Sequence, residues 1–298
     1  MMDRRRLMGA GAAMAAVIGI GGERARVFAQ DAYGTPEASP EAMPGIAPIR
    51  WQVESIIASD GMATPVDGMA TPTDDMATPT DGEAAPIVEN IYTLQFLLDG
   101  ILNIQADCNL GRATYEIEGE NITIDEGITT LVACEDMATS DQFWATLEGA
   151  ETWGITTEYS DVLTITAADG SSLVLNPTLQ GVTWQWQEFQ SGDGSLMVAD
   201  DPTRFTLEFF YDGSVQAQVD CNSGRGDLVV TGSSIELVLA TTRKLCSDDS
   251  QGGQYLDWLG QVTSYVIRGD TLNLALPMDA GILVFKAYVE PEEATPVA

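Results

Sequence analysis

The chain repeats itself, and that limits its possible folds more than any other feature. YTLQFLLDGILNIQADCN (residues 92–109) lies over FTLEFFYDGSVQAQVDCN (205–222) without a gap at an offset of 113. TTLVAC (129–134) then lies over TTRKLC (241–246), and QFWATL (142–147) over QYLDWL (254–259), both at an offset of 112. The opening RWQVES (50–55) lies over TWQWQE (183–188) at 133, so the first copy carries 20 extra residues after its first strand. A self-similar chain of this kind is two copies of one domain.

The extra residues are DGMATPV, DGMATPT, DDMATPT and DGEAAP, a heptad with Asp at 60, 67, 74 and 81 and Pro at 65, 72, 79 and 86. Proline in every unit, with no apolar a/d pair, excludes a coiled coil. The stretch from 60 to 86 is expected to be a disordered acidic insert within domain 1, which spans 50–175. NPTLQG (176–181) is the expected linker, 182–288 the second domain and 289–298 a disordered tail. At the other end, MMDRRRLM followed by GAGAAMAAVIGIGG resembles an export signal over 1–29, with Arg4-Arg5 suggesting the twin-arginine type and Val27-Phe28-Ala29 a cleavage site. Its 14-residue apolar run (9–22) is shorter than the roughly 20 residues that span a bilayer. A Pro-rich tether over 30–49 would follow, and the exported protein would be soluble outside the cytoplasm.

Within each copy the dominant period is two, as in Tyr92, Leu94, Phe96 and Leu98 on one face and Thr93 and Gln95 on the other. That period predicts half-buried strands. Asp99-Gly100 and Asp212-Gly213 supply the positive φ of tight turns, and Asn-x-Gly at 109–111 and 222–224 is expected to do the same at the next reversal. One helix per copy follows, with Thr139 or Ser140 as the expected cap of the first and Asp249 or Ser250 of the second. Two further hairpins are expected near 153–175 and 263–287. The fold class is mainly β with one short helix per domain: two tandem small antiparallel β-barrels, an arrangement that hides strand edges.

The opening Trp, the strand ending in Cys-Asn, the Thr-Thr-x-x-x-Cys element and the helix after it resemble the META/HslJ family, twice over. The resemblance covers nearly all of 50–287 except the acidic heptads. Val132 and Lys244 stand where that family usually has Met, and Ala113 replaces a glycine that Gly226 keeps. The resemblance implies a β-rich extracytoplasmic domain linked to heat-shock, stress-response or drug-tolerance phenotypes, with no established catalysis.

Four cysteines divide as one matched pair per copy, and export would place them in an oxidising compartment. Repeat symmetry predicts disulfides Cys108–Cys134 and Cys221–Cys246 among the three possible connectivities. Buried free thiols and a four-cysteine zinc site are the alternatives, the latter lacking any Cys-x-x-Cys spacing.

The chain contains no histidine, so the usual general base, triad member and metal imidazole are missing. No phosphate-binding loop, dinucleotide fingerprint or calcium loop is present, and no carboxylate pair stands out. The expectation is a non-enzyme with no cofactor and no metal site. Removing residues 1–29 takes five of 13 basic and two of 45 acidic residues, leaving a net charge of −35, which repels nucleic acid and anionic membranes. Asp107, Asn109, Gly111 and Arg112, with Asp220, Asn222, Gly224 and Arg225, are candidate recognition loops; alternatively Asp and Arg pair while Asn and Gly form the turn. Trp51, Trp144, Trp184, Trp186 and Trp258 either line a ligand pocket or form core. The leading reading is an exported stress-protection or binding module acting on an envelope or extracellular protein. A carrier of an apolar small molecule in the barrel interior is the competing one, and a hydrolase the third.

Overall fold

The structure is a computed structural model that describes residues 45–66, 91–134, 137–158 and 160–288. The export segment, most of the N-terminal tether, most of the acidic heptads and the tail lie outside the described residues. Alternating apolar residues build the first copy as β1 (Arg50–Ile57), β2 (Ala63–Pro65), β3 (Tyr92–Phe96), β4 (Ile101–Ala106), β5 (Asn109–Glu118), β6 (Asn121–Ile124), β7 (Ile128–Thr129), α1 (Met137–Glu148), β8 (Ala150–Thr157), β9 (Asp161–Ala167) and β10 (Ser172–Pro177). The second copy is β11 (Thr183–Ser191), β12 (Leu196–Val198), β13 (Phe205–Phe209), β14 (Ser214–Val219), β15 (Asn222–Thr231), β16 (Ser234–Thr241), α2 (Gly252–Leu259), β17 (Ser264–Arg268), β18 (Thr271–Ala275) and β19 (Gly281–Tyr288).

Each copy closes into an eight-stranded antiparallel barrel. In the first, β10 returns to pair with β1, and in the second β19 pairs with β11. Both closing strands carry a bulge at the same place, between Val53 and Ser55 and between Trp186 and Glu188, which bends the strand round the barrel. The opposite seam is narrow in both, one residue pair each: Asn121 with Thr152, and Ser234 with Ser264. The helix enters the chain at that seam. It packs on the core through residues four apart on one face, Phe143 and Leu147 in α1 and Tyr255 and Leu259 in α2.

The interiors are filled by side chains. Trp51, Leu94, Phe96, Leu163 and Leu173 in the first barrel, and Trp184, Trp186, Leu207, Leu272 and Phe285 in the second, have no exposed surface. An apolar cargo inside either barrel therefore lacks room, which corrects the carrier expectation as to place. The indole N–H of Trp51 donates to Ile46 O and that of Trp184 to Leu179 O, both at 2.8 Å. Ile46, Ala47 and Ile49 are buried, as are Leu179 and Val182. The last residues of the expected tether, and Thr178 and Leu179 of the expected linker, are thus buried with the two cores, where each tryptophan takes a carbonyl partner just upstream. The expected acidic insert likewise starts later than residue 60, since Ala63–Pro65 pairs with β1.

Three further expectations change. Thr93 and Gln95, predicted to face solvent, are buried: Gln95 Nε2 donates to Gly181 O (3.0 Å) and Pro48 O (3.4 Å), where the start of the second copy covers the strand. A second contact between the barrels is Gly269 N–H on Asp161 Oδ2 at 2.6 Å. The turns at Gly100 (φ 81°) and Gly213 (φ 77°) are as expected, but at the next reversal the positive φ falls on Asp107 (53°) and Asp220 (57°), not on Asn-x-Gly. Asp tolerates that region through its short polar side chain. Thr139 and Ser140 lie inside α1, not at its cap. The N-cap of α2 is Gln251 and not Asp249 or Ser250, and it makes no side-chain cap bond, although Ser250 Oγ just before it accepts from Gly252 N–H (3.2 Å).

Tyr115 is a buried titratable group of the first barrel with no counterpart in the second. Tyr115, whose place in the second copy is taken by Leu228, donates its hydroxyl to Leu97 O at 2.7 Å. Burial, with the Asp99 charge adding to it, pushes its pKa from 10.0 up to about 12. The neutral phenol is favoured by folding, so this contribution is whole below pH 10 and is lost as pH rises from 10 toward 12. Tyr115→Phe is expected to flatten the alkaline fall in stability over that window, read by denaturant unfolding at a series of pH values. An unchanged slope would show that Tyr115 ionises as freely folded as unfolded.

Candidate functional site

The repeated Asp-Cys-Asn motif ends in a clamp. Cys108 is bonded to Cys134 and Cys221 to Cys246, at separations of 26 and 25 residues. Beside each disulfide the asparagine uses its whole hydrogen-bonding capacity. Asn109 Oδ1 accepts from Val132 N (2.8 Å) and Thr130 Oγ1 (3.0 Å), while Nδ2 donates to Val132 O (3.0 Å) and Cys134 Sγ (3.1 Å). Asn222 repeats all four bonds with Lys244 N, Thr242 Oγ1, Lys244 O and Cys246 Sγ. The second threonine of each Thr-Thr pair relays the clamp, its hydroxyl accepting from Leu110 N or Ser223 N. Val132 and Lys244 are held by backbone atoms, which is why residues so different serve at one position.

The candidate recognition residues are therefore mostly structural. Asn109 and Asn222 have nothing left to offer a ligand. Asn109→Ala should cost about 2 kcal/mol in the oxidised protein by removing the four bonds that tie the side chain to Thr130, Val132 and Cys134, measured by denaturant titration; no loss would return the residue to the recognition candidates. Gly111 and Gly224 are packing positions, since an added Cβ would lie 2.9 Å from Trp144 Cη2 or 3.0 Å from Thr241 Cγ2. Asp107 and Asp220 are buried. Asp220 pairs with Arg204 and accepts from Ser250 Oγ, so in the second copy the alternative of an Asp–Arg pair within the loop gives way to a partner from upstream of β13. Arg204 corresponds to Ile91 in the first copy, and only that difference at an offset of 113 hinted at it. Arg112 is half-buried and Arg225 exposed on β5 and β15. Asp107, Cys108 and Cys134 bring ligand-type atoms within 4.8 Å, but disulfide sulfurs are not the thiolates that metals take.

Of the tryptophans, Trp51, Trp184 and Trp186 are core, and Trp258 stacks on Phe189 with centroids 3.9 Å apart. Trp144 borders a sizeable apolar concavity. That groove, of about 470 Å³, runs between α1 and residues 124–133 of the first barrel. Ile104, Ala113, Ile124 and Leu147 contribute apolar surface, and Asp125, Asp141 and Glu148 carboxylates. The corresponding hollow of the second barrel, between Leu237, Leu239, Leu256 and Leu259, holds about 150 Å³.

A change of one residue produces the difference. In the second copy β16 runs unbroken along β15, from Ser234 opposite Thr231 to Thr241 opposite Gly224. In the first copy the equivalent strand breaks into β6 and β7 around Asp125, Glu126 and Gly127, three residues where the second has Val238 and Leu239. Gly127 aligns with Leu239, whose side chain packs on the core of its own barrel. Removing that leucine and interrupting the strand opens the groove. Gly127 is also required by close approach, since a Cβ there would collide with Arg112 O.

The rim diverges in the same sense. Ile128 (78% exposed), Leu131 (92%), Val132 (56%) and Met137 (49%) are solvent-facing apolar residues of the first copy. Their counterparts at an offset of 112 are Ala240, Arg243, Lys244 and Asp249. Sequence reasoning missed this site, although the offset slipping from 113 to 112 and the apolar-to-charged exchange were both visible signals. An exposed apolar cluster beside a groove marks an interaction surface.

The META domain model matches residues 73–179 and again residues 177–288. Among solved structures, the chain is similar to a protein from Burkholderia xenovorans determined by NMR, at 20% identity and a TM-score of 0.33, over 38% of this chain and 85% of that one. It is also similar to the crystal structure of a duf4847 family protein from Bacteroides vulgatus, at 14% identity and a TM-score of 0.30, over 38% of this chain and 96% of that one. No curated protein matches. Among the described residues, no helix is long and apolar enough to cross a membrane.

Proposed function

Because this chain belongs to the META domain family and carries the domain twice, we propose that it is an exported, non-enzymatic binding protein of the envelope or extracellular space, with its binding face on the first barrel. The observation that carries this reading is the groove between α1 and residues 124–133, with its exposed rim of Ile128, Leu131, Val132 and Met137. The second barrel has charged or small residues at those positions and serves as scaffold. Two disulfides suit an oxidising compartment, and the basic start with its short apolar run supports export. The absence of histidine from the sequence supports a non-catalytic role. A stress-protection role would follow if the bound component is one that heat or toxic compounds displace.

A photo-crosslinking residue placed at Leu131, and separately at Arg243, in the exported full chain tests the reading. Adducts formed in its own cells from position 131 and not from 243 are expected. Equal labelling from both positions, or none from 131, would overturn the binding face. Recovery of the chain inside the cell with reduced cysteines would overturn export.

A further inference from the structure

We propose that the first-barrel groove takes a cationic amphiphile: one apolar alkyl or aryl portion carrying an amine or quaternary ammonium group. This rests on the reading of the first barrel as the binding face and adds the chemistry of what it holds. The groove's volume of about 470 Å³ lies in the range of small-molecule sites, which run from about 300 to 1,000 Å³. Its apolar surface comes from Ile104, Ala113, Ile124 and Leu147, which would accept a chain or ring. Trp144 forms part of the wall, and an indole face is a good partner for an ammonium group.

Charge selects the head group. Asp125, Asp141 and Glu148 all border the groove, and none of its lining residues is basic. Asp125 is oriented by Thr114 Oγ1, which donates to its Oδ2 at 3.0 Å. The chain as a whole carries a formal net charge of −32, so its field draws cations toward the surface and repels anionic tails. The second barrel differs in both respects: its hollow is about a third of the size, and Gly260 stands where Glu148 stands in the first. One site per chain follows.

The test uses the full exported chain and three probes with the same tail, octyltrimethylammonium, octyl glucoside and octyl sulfate, each below its micelle concentration. Calorimetric titration should give one site for the ammonium probe, with affinity about 10-fold above the other two and falling with added salt. The triple variant Ile128→Ala, Leu131→Arg, Val132→Lys installs residues that the same fold carries in the second copy, and should abolish binding with the unfolding midpoint unchanged. The variant Asp125→Asn, Asp141→Asn, Glu148→Gln should bring the ammonium probe down to the glucoside's affinity and leave the glucoside unaffected. Equal affinity for all three probes would overturn the cationic selectivity and keep the binding face. No saturable binding of any probe, with crosslinking from position 131 intact, would overturn the small-molecule ligand alone. Loss of both would overturn the binding face as well.

Discussion

Replacing Cys108 and Cys134 together by serine is expected to cost the first barrel about 3–4 kcal/mol, and the matching Cys221/Cys246 variant about the same in the second, because the closed loops are nearly equal in length. The functional consequences should differ. In the first barrel the segment ending at Cys134 follows β7, which meets β5 only at Gly111–Thr129 and Arg112–Ile128. That segment, residues 130–133, is also a wall of the groove. Losing the disulfide leaves the wall held by Asn109, two ladder positions and the paired bonds between Thr130 and Leu110, none of which lies beyond Val132, so crosslinking from position 131 should fall even under conditions where the barrel stays folded. In the second barrel the wall is β16, continuous with β15 over eight residue pairs, and its hollow should keep its shape. Denaturant midpoints of the two double variants, read with adduct yield from 131, check both parts. Equal loss of adduct from the two variants would show that the second barrel supports the groove.

Trp186→Ala is expected to be the most damaging single substitution, at about 3–5 kcal/mol, by opening a cavity in the second barrel. The ring lies 5.3 Å from Phe205, 5.2 Å from Tyr255 and 5.9 Å from Trp258, so its loss unties the strand-to-helix contact as well as the core. Its Nε1 is buried with no hydrogen-bond partner among the described residues. Trp186→Phe should therefore cost much less than the alanine change, since it keeps an aromatic ring and removes an orphaned donor. Hydrogen exchange resolved by strand should show the greater loss of protection over β11–β19. Equal loss in both barrels would mean that the two unfold as one unit, coupled through Gln95, Asp161 and their partners.

The first barrel has Val53 where the second has Trp186, so the two cores are packed differently behind one plan. That plan was largely legible. Period two in YTLQF and FTLEF, glycine at 100 and 213, and the single helical stretch per copy suffice for a small antiparallel barrel, because alternation, turn conformation and helix periodicity are local properties. The cysteine pairing was legible for another reason: symmetry between copies removes the crossed connectivities. Less legible were the ends of each domain, since the need of Trp51 and Trp184 for Ile46 O and Leu179 O leaves no periodic trace.

The amino-acid order determined the tandem β architecture, the matched disulfides and the acidity of the chain, all of which follow from residue type and spacing. Tertiary structure decided what those residues do. Asn109 and Asn222 became clamps because folding brings the 130–134 and 242–246 segments within reach of both ends of their amides. Arg204 became the partner of Asp220 because β13 and β14 lie side by side. Gln95 was buried because the second copy begins against the first. The groove exists because an extra residue around Gly127 breaks one strand that its twin keeps whole. A hydrogen-bond partner or a hollow depends on which distant segments closure brings together, and no local pattern along the chain encodes that meeting.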